Sequence, residues 1–276
     1  MDIFRSDHFN QHFTSHLHLL LQLDEHRFSY CVYDPQNKQI QLLHTKALVL
    51  QPGKTAGLGN LTDALVKDDM LHLPYRKKCI AWIKPTFLLV PDEILEAGME
   101  TKYAMWSQHL PEGNQLITTT CHPYAFLFSL PEVHLNSMEN LFPNAHLQHA
   151  AAALLRYSET WGDGEHIFVD VREEWILVAV ARNGKLLLVN HYDYHSKDDF
   201  LYFLMLPCDQ LGIDREKATL HVSGFITKDS ELAMEMDKFF SQIHYPPASE
   251  LSLPLDGPTP MAGYSFTTLL AMSLCE

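Results

Sequence analysis

The sequence is short of the parts that phosphate, metal and membrane chemistry call for. Glycines number 12 in 276 residues, cysteines 5, and Lys plus Arg 20 against 34 Asp plus Glu. No apolar run approaches the ~20 residues of a membrane-spanning helix. The opening Met1-Asp2-Ile3-Phe4-Arg5-Ser6-Asp7-His8 lacks the basic-then-apolar layout of a secretory signal, and neither end carries a lipidation box. No membrane association is expected. Cys31, Cys79, Cys121, Cys208 and Cys275 are odd in number and never spaced as CxxC. That fits reduced, buried thiols in a cytoplasmic protein better than a disulfide or zinc framework. A formal charge of −14 repels a phosphate backbone or an anionic lipid surface at long range, so nucleic acid is not expected as a partner. GxSxG, HExxH and EF-hand patterns are absent.

What is present is a globular chain. Hydrophobic residues make up 46% and charged residues 20%, enough to bury a sizeable core and too apolar for disorder. The 17 histidines make the net negative charge collapse between neutral and mildly acid pH.

Along the chain, a polar leader gives way to Leu17, Leu19, Leu21 and Leu23 alternating with His16, His18 and Gln22, a period of two that predicts a strand. Asp24-Glu25-His26-Arg27 turns the chain, Phe28, Tyr30 and Val32 alternate again, and Asp34-Pro35-Gln36-Asn37 leads to a third strand at Ile40 and Leu42. A short helical pattern follows at Leu61 and Leu65, then strands Cys79 to Ile83 and Phe87 to Val90. The spacing next predicts a helix near Ile94 to Trp106, strands Leu116 to Cys121 and Tyr124 to Leu130, and helices Val133 to Phe142 and Ala145 to Ser158.

Trp161-Gly162-Asp163-Gly164-Glu165 is the clearest punctuation and sets a lobe boundary, with lobes at 1–160 and 161–276. The opening then repeats: strands His166 to Val171 and Trp175 to Ala181, an Asn183-Gly184 hairpin turn, and strand Lys185 to Tyr194. Ser196 with Asp199 caps a helix closed by Gly212, which Pro207 is expected to kink or interrupt. Leu220 and Val222 form a strand ending at Ser223-Gly224. Leu232, Met236, Phe239, Phe240 and Ile243 trace a helix, prolines 246, 247, 254, 258 and 260 mark an extended loop, and a last helix runs from about Tyr264 to Leu274. The second half reads βββαβαβα and the first begins the same way before acquiring extra elements. This α/β order is shared by the duplicated RNase-H-like lobes of the actin, sugar-kinase and Hsp70 ATPase superfamily. An α/β domain with unrelated halves is the alternative.

The stretches Phe28-Ser29-Tyr30-Cys31-Val32-Tyr33-Asp34, Phe87-Leu88-Leu89-Val90-Pro91, Leu188-Val189-Asn190-His191-Tyr192-Asp193-Tyr194 and Asp198-Asp199-Phe200-Leu201-Tyr202-Phe203-Leu204, with the ending Leu274-Cys275-Glu276, resemble a Bacteroidetes family known as domain of unknown function 3822. The resemblance spans nearly the whole chain from about Leu17. It implies an actin-like ATPase fold and no assigned biochemical role. It also implies an uninterrupted helix after Asp198, from which Pro207 departs.

Actin-like ATPases grip phosphates and metal between two turns, one per lobe, where an acid is followed by glycine and a hydroxyl residue. Glycine lets backbone N–H groups approach the phosphates. The matching positions here are Asp24-Glu25-His26-Arg27 and Asp170-Val171-Arg172-Glu173, which keep the acids and lack every glycine and hydroxyl. Ser223-Gly224-Phe225 keeps one glycine of a third, adenosine-facing loop. The favoured expectation is a non-catalytic, cofactor-free module that binds an unidentified protein partner. The alternative is an ATPase or switch in which Asp24 and Asp170 position Mg-ATP and Gly224 admits the base. An open, polar cleft separates from a plugged one at Arg27, Arg172 and Phe225.

Other patterns carry less. Gly53-Lys54-Thr55 imitates the end of a P-loop, but its earlier glycine falls on Leu48. Asp193, His195, Asp198 and Asp199 crowd a strand-to-helix junction after His191 as metal-type ligands, although helix capping accounts for Asp199 equally well. His146 and His149, three apart on the expected helix, lack a third ligand. Cys121 and His122 are neighbours on an expected strand and so face opposite ways. Arg76-Lys77-Lys78 reads as a solubilising loop.

Overall fold

The computed structural model describes residues 2–24, 26–48, 58–83, 86–107, 110–251 and 263–275. Glu25, Gly53-Lys54-Thr55 and prolines 254, 258 and 260 lie outside the described residues. The first half contains β1 (Asp2–Arg5), β2 (His18–Leu23), β3 (Arg27–Asp34), β4 (Gln39–Ala47), α1 (Leu58–Val66) and β5 (Lys77–Trp82). It continues with β6 (Phe87–Pro91), α2 (Glu100–Ser107), β7 (Asn114–Cys121), β8 (Tyr124–Pro131), α3 (Glu132–Leu141), β9 (His146–His149) and α4 (Ala150–Ser158). The second half contains β10 (Glu165–Val171), β11 (Trp175–Arg182), β12 (Lys185–Asp193), α5 (Lys197–Leu211), β13 (Thr219–Gly224), α6 (Glu231–Met236), β14 (Gln242–His244) and α7 (Thr267–Ala271).

Two sheets share one topology over five strands, β1 being an addition to the first. The first runs β1-β4-β3-β2-β5-β9 and the second β12-β11-β10-β13-β14. In each, an antiparallel meander is extended on its first strand by two parallel strands, β5 and β9 or β13 and β14. The element order βββαβαβα holds in the second half. In the first, a separate three-stranded sheet, β6-β8-β7, is inserted between β5 and α3. The Asn183-Gly184 turn has φ of 51° and 71°, both left-handed, which matches the twist of the β11–β12 hairpin.

A shared core joins the two halves. Leu20, Cys31 and Leu43 of the first sheet and Phe168, Leu177 and Ala179 of the second pack against α4 and α7, which lie between them. Ala150 to Ala153 are all buried. Their small side chains let α4 approach α7 and both sheets, which a run of larger residues would prevent. β2 is buried on both faces, because α7 covers one side and a cluster with α1 and α3 covers the other.

Several expectations are corrected. The polar leader contains a strand, β1, paired with β4. Residues 145 to 149 are not helical: Leu147 pairs with Ile80 and His149 with Trp82, so parallel pairing to β5 overrides the local helical spacing. The helix expected through Ile243 stops at Met236, and Ile243 pairs instead with Leu220. The first-half helix begins at Glu100 rather than Ile94, and the terminal helix is α7 flanked by 3-10 turns. α5 runs unbroken through Pro207, since Phe200, Leu201, Leu204 and Cys208 bury against the second sheet on both sides of it.

Candidate functional site

The two meander turns meet across a cleft. Its lining includes Asp24, His26 and Arg27 from the β2–β3 turn, and Arg172, Glu173 and Glu174 from the β10–β11 turn. The cavity is about 280 Å³, at the lower edge of the ~300–1,000 Å³ typical of small-molecule pockets. Phe225 is part of its lining. The Arg27 guanidinium lies 4.1 Å from the centre of the Phe225 ring and that of Arg172 lies 4.9 Å away. An ion pair between Arg27 Nη2 and Glu173 Oε1, at 3.7 Å, bridges the turns directly.

Each sequence-derived residue has a definite place. Asp170 is buried; its Oδ2 accepts hydrogen bonds from Arg172 Nη2 at 2.6 Å and from Thr268 Oγ1, on α7, at 2.5 Å. Its Oδ1 is buried without a hydrogen-bond partner. Gly224 sits beside Val171 in the parallel ladder with φ of +94°. A Cβ there would meet Val171 O at 2.2 Å and Asp170 Oδ1 at 2.6 Å. Asp24 lines the cleft and its N–H donates to Arg27 O at 2.8 Å. The N–H groups of Arg172 and Phe225 donate to Trp175 O at 2.9 Å and Val171 O at 2.8 Å. These three bonds close the two hairpin turns and tie Phe225 to the end of β10.

The remaining patterns resolve locally. Asp193 and His195 lie at the cleft, but Asp199 caps α5: its Oδ2 accepts the His195 N–H at 3.2 Å and its own N–H donates to Ser196 Oγ at 3.1 Å. The His195 bond holds the Asp199 carboxyl below its ordinary pKa. Among the described residues, no three His, Cys, Asp or Glu side chains converge as a metal site. His149 is a buried cap, its Nδ1 accepting the Ala151 N–H at 3.1 Å. Cys121 is buried, and burial raises its pKa; His122 is exposed and bonds Asp92 Oδ2 at 2.8 Å.

Sequence reasoning missed Thr268 and a histidine stack at the opposite end of the second sheet. His166 Nδ1 lies 3.1 Å from His221 Nε2, Trp161 stacks on the His221 ring at 5.0 Å, and His244 approaches it edge-on at 5.4 Å. Each ring comes from a different element, so no spacing along the chain betrays them. Burial, then the neighbouring His166 and His244, pushes His221 down to about 3. A folded-state pKa below the unfolded value means that folding favours the neutral ring. The stability is therefore full above the unfolded pKa of about 6.5 and declines as pH falls toward 3, by about 1.4 kcal/mol per unit. Urea unfolding at pH 7, 6 and 5 should show this loss, and His221→Gln should have a shallower slope.

Two like-ordered sheets facing each other across a cleft bounded by their first hairpin turns define the actin-like ATPase fold. A Bacteroides thetaiotaomicron VPI-5482 protein with that fold and unknown function superposes with a TM-score of 0.76 at 20% identity, covering 85% of this chain and 92% of that one. The PilM–PilN type IV pilus biogenesis complex contains a chain that matches with a TM-score of 0.59 at 13% identity, covering 93% and 97%. No curated protein matches the sequence. The chain belongs to the family described as "Protein of unknown function (DUF3822)", which it matches over residues 6–243. No described helix is long and apolar enough to cross a membrane.

Proposed function

We propose that this chain is a non-catalytic actin-fold module that works by binding another protein, in the cytoplasm and without a nucleotide cofactor. The observation that carries the reading is that Arg27 and Arg172, one from each turn, both lie against the Phe225 ring in the lining of the cleft. In this reading the chain has lobes at 1–160 and 161–276, with α7 returning to pack between the sheets. Asp170 serves as a structural anion for Arg172, and Gly224 admits the Asp170–Val171 backbone rather than a base. Asp24, Glu173, Glu174 and Asp193 line the cleft beside two guanidiniums already engaged with Glu173 and Asp170. That balance disfavours a triphosphate. The PilM–PilN complex supports the partner-binding half, as a similarly folded chain found in a protein assembly.

Thermal unfolding with and without millimolar Mg-ATP tests this. A ligand at a hundred times its Kd adds about 2.7 kcal/mol to the folded state. The melting temperature should not move; a rise of several degrees would establish the alternative, in which Asp24, Asp170 and Gly224 form a nucleotide site.

A further inference from the structure

We propose that the groove between the C-terminal end of α3 and the outer strand β9 is a docking site for a partner segment that carries one or two bulky apolar side chains next to carboxylates. This rests on the protein-binding reading above and names the chemistry of the partner.

Two cavities adjoin there, sharing Pro143 and Asn144 in the turn between α3 and β9. One, of about 420 Å³, is walled by Ile80, Leu135, Met138, Phe142 and Leu147. The other, of about 370 Å³, is walled by Tyr75, Arg76, Lys77, Lys78 and His146. β9 is the terminal strand of its sheet, so the apolar trough lies at the sheet's edge. Ile80, Leu135, Met138 and Phe142 are themselves buried, so the trough is a narrow recess between them with a polar rim rather than a broad exposed patch.

Charge selects the occupant. In a chain with a formal charge of −14, Arg76-Lys77-Lys78 places three cations side by side. The groups facing the two cavities are these three and His146, against Glu139 as the one carboxylate. Neither Arg76 nor Lys78 has a carboxylate partner among the described residues. Lys78 is partly buried over the Phe142 ring, 5.9 Å from its centre, so the cation and the apolar trough are physically continuous. An acidic, apolar segment would satisfy both, with Phe142 and Met138 receiving the side chain and Arg76 and Lys78 the carboxylates. The overall negative charge weighs against nucleic acid on the same patch.

The test selects a phage-displayed library of random peptides against the full-length chain, then measures synthetic copies of the enriched peptides by fluorescence anisotropy. Enriched sequences should combine large apolar residues with Asp or Glu. Their binding should weaken at least tenfold in Arg76→Glu, whose side chain is exposed, and in Lys78→Glu. It should strengthen in Glu139→Gln. Absence of enrichment over an inert control protein would overturn the proposal. So would peptides without acidic residues, or equal binding to Arg76→Glu. Light scattering that finds a dimer dissociated by Leu147→Asp would assign the groove to a second copy and also overturn it. Those outcomes leave the nucleotide-free cleft untouched, whereas a Mg-ATP shift would overturn the cleft reading without altering the peptide result.

Discussion

Gly224→Ala is expected to lower the free energy of unfolding by about 3–5 kcal/mol, a large fraction of the ~5–15 kcal/mol that holds a typical domain together. Two costs add. Gly224 has φ of +94°, where an L side chain is strained. The new methyl would also lie 2.2 Å from Val171 O and 2.6 Å from Val171 N, so backbone rather than a flexible side-chain tip must move. Because Val171 precedes Arg172, the displacement reaches the residue that clamps Phe225. Gly184→Ala is the control: its φ is +71°, but no atom lies within 4 Å of the added Cβ, so it bears only the conformational part of the cost. Denaturant unfolding of the two variants separates strain from collision. Equal, small losses would mean that the β10–β13 contact is softer than described.

Asp170→Ala should cost about 3–5 kcal/mol, because it strands the buried Arg172 guanidinium without its anion. Thr268 also loses its acceptor, which loosens α7 from the second sheet. Replacing both members of the pair, Asp170→Leu with Arg172→Met, should recover most of the loss, since an apolar pair of similar volume removes the stranded charge. A catalytic or metal-binding Asp170 predicts another pattern: near-native stability in Asp170→Ala and a defect confined to ligand binding. Urea midpoints of the single and double variants distinguish the two.

How far the sequence alone reaches depends on the length of the pattern. The strands β2, β3, β10 and β11 announce themselves through alternating or continuous apolar residues, and Asn183-Gly184 through its turn chemistry. The order of these elements was enough to suggest two similar lobes. β9 and β14 are too short to carry a period of their own, with four and three residues. Their extended form comes from parallel pairing to β5 and β13, which local spacing does not encode. At the site, the missing glycines of both turns are visible in Asp24-Glu25-His26-Arg27 and Asp170-Val171-Arg172-Glu173, and so are the side chains that replace them. The inward pairing of Asp170 is not, because its partner Thr268 lies 98 residues away on a helix that returns between the sheets. The histidine stack is hidden for the same reason: His166 and His221 are 55 residues apart and meet only through strand pairing.

The two arginines, one from each turn, converge on Phe225. Cation–π contacts of this kind contribute about 0.5–2 kcal/mol each, which favours keeping both arginines on Phe225. Isothermal titration of the full-length chain with Mg-ATP tests the nucleotide-free reading most directly. The account predicts heats indistinguishable from dilution up to millimolar nucleotide. A saturable one-to-one isotherm, lost on Asp24→Ala, would contradict it.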